Sequence, residues 1–203
     1  DSQINETLEK SQKSFSLWKN TSIDERIKII NKFIDNLLNL KSEISKEICW
    51  QIGRPISQCG NELRGFEERS RHMVDIAKES LQNIPATKND EFDNYIYKSP
   101  LGVIFVMAPW NYPIITATNT IIPALLAGNT MVLKHSSQTP MCAELISQAF
   151  DNTGLPEGVF QFVHTNHQAC EKIISDPRVS HVVFTGSVRG GQEVCLLYTS
   201  DAA

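Results

Sequence analysis

Residues 99–113 read Ser99-Pro100-Leu101-Gly102-Val103-Ile104-Phe105-Val106-Met107-Ala108-Pro109-Trp110-Asn111-Tyr112-Pro113. From Gly102 to Met107 no polar side chain interrupts the run, several residues are β-branched, and prolines stand shortly before and after it. Such a run has no face to offer water, so it predicts a strand covered on both sides. The loop beyond it is stiffened by Pro109 and Pro113, each of which fixes its own φ.

Downstream the pattern alternates. Ile114, Ile115, Ile121, Ile122, Leu125 and Leu126 mark a helix ending at Gly128, with a kink or break expected at Pro123. Strands are predicted at 130–134, 159–163 and 181–185. Thr139-Pro140 reads as N-cap and first residue of a helix that ends before Gly154. Further helices are expected at about 168–175 and from about Ser187. Strands alternating with helices imply right-handed βαβ units. The expected fold is therefore α/β, a doubly wound, mostly parallel Rossmann-like sheet. Ligands of such sheets bind beyond the carboxyl ends of the strands, which directs attention to the loops after residues 107, 134, 163 and 185.

Upstream, residues 1–85 read as helices. Ser22-Ile23-Asp24-Glu25 is a capping box, in which serine takes an early backbone N–H and glutamate reaches back to the serine N–H. Behind it Ile23, Ile27, Ile30, Ile34, Leu37, Ile44 and Ile48 share one face of a single predicted helix, stopped by Gly53 and Pro55. A second helix, with Leu63, Phe66, Met73, Ile76 and Leu81 as its apolar face, runs to about 82. Residues 86–94 are polar and turn-rich, and 95–97 form a short strand candidate.

The chain has 203 residues, 41% hydrophobic and 21% charged, with a net charge of −4. Those values are ordinary for a globular protein. No basic stripe points to nucleic acid, and no apolar stretch is long enough for a membrane helix. The five cysteines, Cys49, Cys59, Cys142, Cys170 and Cys195, show no zinc-ligand spacing. They read as reduced cytoplasmic thiols, and no metal site is expected.

Each strand end carries a residue with two readings. Asn111, on the stiff loop, is either a rigid amide donor suited to a developing oxyanion or a turn asparagine bonded to its own backbone. Lys134 either reaches a nucleotide hydroxyl or phosphate, or is simply solvated. His135 is a candidate for titration near neutrality. In Phe184-Thr185-Gly186-Ser187, Gly186 lets a backbone approach closely and Ser187 can cap the next helix, whose free N–H groups suit a pyrophosphate. The alternative for Gly186 is a tight turn. The Gly-x-Gly-x-x-Gly fingerprint does not occur.

Taken together, the motifs resemble the aldehyde dehydrogenase superfamily over about residues 5–194. The resemblance rests on the 99–113 stretch and on Pro123-Ala124-Leu125-Leu126-Ala127-Gly128-Asn129. Lys134 with Gln138-Thr139-Pro140, Gly154-Leu155-Pro156-Glu157-Gly158-Val159, and Phe184-Thr185-Gly186-Ser187 extend it. Gly53-Arg54-Pro55 is similar to the end of the family's long N-terminal helix. It implies a coenzyme-binding α/β domain, a catalytic domain and a β-hairpin arm for oligomerisation. It further implies that Asn111 is the oxyanion-hole asparagine and that Lys134 contacts the adenosine ribose. Met107, Ala108, Pro109 and Trp110 would line the coenzyme cleft with Ser136, Ser137, Phe184 and Thr185, and Gly186 and Ser187 would lie by the pyrophosphate. The coenzyme would be NAD or NADP, the substrate an aldehyde, and the assembly a homodimer or homotetramer. In the family a cysteine thiolate attacks the aldehyde, hydride leaves to the nicotinamide, and a glutamate-activated water hydrolyses the thioester. An acylating, coenzyme A-dependent member and a non-catalytic coenzyme-binding fragment are the alternatives.

The sequence departs from the family in several places. The Glu-Leu-Gly-Gly motif of the general base does not occur, and no cysteine stands in the nucleophile's context. The chain is therefore expected to be an N-terminal fragment without turnover. It divides into helices at 1–85, a hairpin segment at 86–100 and a coenzyme-binding region at 101–194. A tail at 195–203 resembles translated vector sequence. Ser137 stands where many NAD-preferring members carry a glutamate, which removes a repulsion against a 2′-phosphate, so NADP is expected to be tolerated. The Lys134-His135 pair resembles a bacterial branch that includes succinate-semialdehyde dehydrogenases. Some of these carry an arginine where this chain has Asn119.

Overall fold

The computed structural model describes residues 2–88 and 92–199. Its elements are α1 (Ser2–Trp18), α2 (Ile23–Asn39), α3 (Lys41–Ile52), α4 (Ile56–Ser80), β1 (Ile84–Lys88), β2 (Asp93–Ile96) and β3 (Val103–Ala108). There follow α5 (Pro113–Leu126), β4 (Thr130–His135), α6 (Pro140–Gln148), β5 (Phe160–Phe162), α7 (His167–Ile174), β6 (Val179–Phe184) and α8 (Val188–Thr199).

Strands β5-β4-β3-β6 form a parallel sheet in that order. Strand β3 is central, and every one of its residues is buried. Alternation sorts its side chains onto two faces. Ile104, Val106 and Ala108, with Met131 and Leu133 of β4, join the core made by α2 to α6. Val103, Phe105 and Met107, with Val132, pack against Leu8 of α1 and Cys170, Ile173 and Ile174 of α7. The expected helical cover on both faces is thus present.

Helix α1 is tied to α5 and to the sheet by polar groups as well as by Leu8. The buried Trp18 indole donates to the Leu125 carbonyl at 3.2 Å. Thr130 Oγ1 donates to the Ser11 carbonyl, and Gln161 Nε2 donates to Ser11 Oγ. At the start of β3, Gly102 has φ 137°, and a Cβ there would stand 2.1 Å from Ser180 Oγ. Only glycine meets both conditions.

The structure corrects several expectations in the helical part. The single helix predicted from Ile23 to Ile52 is two, broken at Leu40. The reason is tertiary: Ile30, Phe33 and Leu37 face α4 and α5, whereas the fully buried Ile44 and Ile48 belong to a helix packed on α4 and α6. Ile76 is 41% exposed, and Val74 and Ala77 take the buried face instead. Half of the capping box forms: Ser22 accepts the Glu25 N–H at 3.3 Å, while the Glu25 carboxylate turns outward to Lys28. Pro123 lies inside α5 without ending it. Residues 84–88 form a strand antiparallel to β2, which starts two residues before the predicted 95–97 and stops at Ile96. Residues 89–91, within the stretch read as turn-rich, lie outside the described residues, as do residues 200–203 of the expected tail. The tail's first residues continue α8 to Thr199. Among the described residues no helix is long and apolar enough to cross a membrane.

Candidate functional site

Three strands end level with one another. In the register of the sheet Met107 lies opposite Lys134 on one side and Phe184 on the other. The exits are then pinned together: the Ser136 N–H donates to the Ala108 carbonyl at 3.0 Å, and the Thr185 N–H to the Met107 carbonyl at 3.1 Å. Beyond them opens a cleft of about 510 Å³. Met107, Ala108, Pro109, Trp110, Asn111, Lys134, Ser136, Phe184, Thr185, Gly186 and Ser187 all line it. These residues run from Met107 to Ser187 in the sequence, and the sheet brings them to one place. Ser137 is exposed and is not among the lining residues.

The N-terminus of helix α8 borders this cleft. Ser187 Oγ accepts the Gly190 N–H at 3.1 Å, the cap that its position suggested. The Phe184 ring folds over the turn, and a Cβ on Gly186 would come within 2.5 Å of Phe184 Cζ. Gly186 therefore keeps the backbone accessible where a side chain would not fit. Lys134 is half-buried, and among the described residues no carboxylate pairs with it. Its ammonium remains available to a ligand.

Asn111 makes the bond of its turn reading. Its Oδ1 accepts the Tyr112 N–H at 3.0 Å, as a turn asparagine does. That bond fixes the amide plane and leaves the Nδ2 donor as its other end. On α5, Asn119 Oδ1 accepts from Arg69 Nη1 at 3.2 Å, so a guanidinium from α4 stands beside it.

His135 does not titrate near neutrality. It is buried, and loss of solvation, reinforced by Lys134, lowers its pKa to about 4 against the opposing bond to Pro113. Nδ1 accepts the Ser136 N–H at 3.1 Å and so carries no proton. The proton sits on Nε2 and is donated to the Pro113 carbonyl at 2.9 Å. Thr139, though it occupies the N-cap position of α6, sends its hydroxyl to His135 Nδ1 at 2.9 Å and leaves the helix uncapped by its side chain. A buried imidazole nitrogen needs partners more than a helix end within reach of solvent does.

Sequence reasoning missed the far wall of the cleft. His167, Cys170, Glu171 and Ile174 of α7, and Glu193, Val194 and Leu197 of α8, also line it. Their three- and four-residue spacing was available as a signal of one helix face, but only the packing decides what that face meets. Leu197 belongs to the segment set aside as tail. The cleft's one thiol, Cys170, has its pKa pushed up by burial, as does Cys59, and that of Cys142 is pushed up to about 12. None of these three has the depressed pKa of a nucleophile.

The parallel sheet places the protein among open α/β proteins, a class whose ligand sites lie at strand ends, where this cleft opens. The chain matches the aldehyde dehydrogenase family over residues 1–201, and it belongs to that family. It is 30% identical over 195 residues to an aldehyde dehydrogenase of Paenarthrobacter nicotinovorans, covering 95% of this chain and 43% of the relative. It is 29% identical over 191 residues to a succinate semialdehyde dehydrogenase [NAD(P)+] of Escherichia coli K12, covering 94% and 41%. The fold matches that of succinic semialdehyde dehydrogenase from Streptococcus pyogenes, solved with NADP+, with a TM-score of 0.93 and 24% identity, over 100% of this chain and 44% of that one. The chain thus spans less than half the length of these relatives.

Proposed function

We propose that this chain is the coenzyme-binding part of an NAD(P)-dependent enzyme that oxidises an aldehyde to a carboxylic acid. One observation carries the reading: Asn111, Lys134 and the N-terminus of α8 converge on a single cleft. The cleft's volume suits a substantial part of a dinucleotide. Its donors suit one too, with an ammonium that no carboxylate among the described residues pairs on one side and helix-start amides beside a glycine on the other. The bound coenzyme would supply the hydride acceptor. Lys134 would hold the adenosine ribose, with Ser136 beside it. The amides following Gly186 and Ser187 would receive the pyrophosphate. Met107 to Trp110 would wall the cleft toward the reacting aldehyde. Asn111 Nδ2 would donate to the oxygen that gains charge when a nucleophile adds to the carbonyl. Because the amide is already fixed by Tyr112, no reorganisation is needed at that moment.

By itself the chain has neither the general-base motif nor a cysteine in the nucleophile's context. Its own activity is therefore coenzyme binding without turnover. The β1–β2 hairpin, with Ile84, Tyr95 and Ile96 exposed, is assigned as the arm that joins subunits. Calorimetric titration of the folded chain with NADP+ and with NAD+ tests the reading. One site is expected, weakened about tenfold by Lys134→Ala, consistent with the loss of a charge-assisted hydrogen bond. A folded chain that binds neither coenzyme would overturn the proposal, and aldehyde-dependent NAD(P)H formation would overturn the claim of no turnover.

A further inference from the structure

The N-terminus of α5, which carries Asn111 just ahead of it, is held by charged groups from a distant part of the sequence. Tyr112 occupies the N-cap position and provides no side-chain cap. Instead Glu62 Oε1, from α4, accepts the Ile114 and Ile115 N–H groups at 2.7 and 3.1 Å. These are first-turn donors with no partner inside the helix. The other oxygen, Oε2, pairs with Arg54 Nη1 at 2.5 Å, and the Glu62 side chain is fully buried. Arg54 then uses its second nitrogen, Nη2, to donate to the backbone carbonyl of Asn111. Its guanidinium also lies 4.7 Å from the centre of the Tyr112 ring.

One buried pair therefore grips residues 111, 112, 114 and 115. A local cap, serine or aspartate at position 112, would satisfy the helix end equally well but would leave the Asn111 backbone unheld. The planar fork of arginine satisfies the carboxylate and the Asn111 carbonyl at once, which a single ammonium does not reproduce. We propose that Arg54, oriented by Glu62, is a positioning residue that fixes the Asn111 amide at the reacting carbonyl. The proposal rests on the reading of Asn111 as the oxyanion donor.

The test is a double-mutant cycle in the full-length enzyme that carries this segment, with kcat, KM and coenzyme affinity measured for each variant. Asn111→Ala is expected to lower kcat at least about a hundredfold. Arg54→Gln is expected to lower kcat at least about tenfold while coenzyme affinity stays within about twofold. The double variant is expected to be no slower than Asn111→Ala alone, because Arg54 acts only through Asn111. Arg54→Lys keeps a charge opposite Glu62 and so preserves the fold if Arg54→Gln does not. It should still lose kcat without losing coenzyme affinity. Unchanged kcat in Asn111→Ala would sink the oxyanion reading and this proposal with it. A slow Asn111→Ala beside an unimpaired Arg54→Gln or Arg54→Lys would sink the positioning role alone. Additive losses in the double variant would also overturn it.

Discussion

His135 Nε2 lies 2.9 Å from the Pro113 carbonyl, so the end of β4 holds the start of α5 through a neutral imidazole. The bond needs the proton on Nε2 and a bare Nδ1, which is also where the Ser136 N–H and the Thr139 hydroxyl arrive. A second proton, on Nδ1, would face the Ser136 N–H and would force the Thr139 hydroxyl to turn from donor to acceptor.

The pH dependence follows from the depressed pKa. An unfolded imidazole takes its proton near 6.5, whereas the folded one resists until about 4. Between those values the unfolded chain binds more protons, so stability is complete above about pH 6.5 and falls as pH drops toward 4. The whole window corresponds to about 3 kcal/mol. Urea unfolding at pH 7.5 and 4.5 should show wild type losing about 2–3 kcal/mol more than His135→Gln. Equal losses in the two proteins would contradict the assignment.

Thiol labelling should divide the cysteines by burial. Cys195 is exposed and Cys49 half-buried, whereas Cys59, Cys142 and Cys170 are buried with raised pKa values. Mass spectrometry after brief labelling at pH 8 should find Cys195 modified first and Cys49 next. Cys59, Cys142 and Cys170 should react only on unfolding. Fast labelling of Cys170 in the folded chain would show its thiolate to be accessible from the cleft.

Gly102→Ala should destabilise the chain by about 1–3 kcal/mol, since it combines overlap with a backbone conformation alanine resists. The overlap is with Ser180 Oγ and the φ is 137°. Adding Ser180→Gly removes only the first cause, so chemical denaturation of the double variant should recover part of the loss. Full recovery would show that the φ contributes nothing.

Ser137→Glu tests coenzyme preference. A carboxylate placed after β4 should weaken NADP+ binding about tenfold or more through repulsion of the 2′-phosphate, with NAD+ affinity held or improved. Titration with both coenzymes reads the ratio directly. Since Ser137 lies outside the cleft lining, an unchanged ratio would mean that the longer side chain does not reach the ribose.

The sheet's last strand leaves apolar surface open. Val182, Val183 and Phe184 of β6 are only half-buried, and Val188 and Leu196 of α8 are 81% and 72% exposed. The isolated chain should bind a hydrophobic dye and self-associate at micromolar concentration. Light scattering that shows a monodisperse, dye-silent chain would refute this.

Much of the fold was legible because its signals are local. The Gly102–Met107 run announced a buried strand, the alternation downstream announced parallel βαβ units, and strand ends announced where the cleft would lie. Signals that depend on neighbours failed. Ile44 and Ile48 have the spacing of one continuous helix with Leu37, yet Leu40 breaks it. Thr139 has the position of a cap, yet its hydroxyl serves His135.

The sequence alone determined the family, the order of the elements, and nearly all the residues that line one side of the cleft, because short-range spacing and strand termini encode them. Tertiary structure alone decided the rest. It supplied the far wall of α7 and α8, made His135 neutral by taking it out of water, and let Glu62 and Arg54 cap a helix fifty residues away. These depend on distance and solvation between segments remote in sequence, and no local pattern of residue types records either quantity.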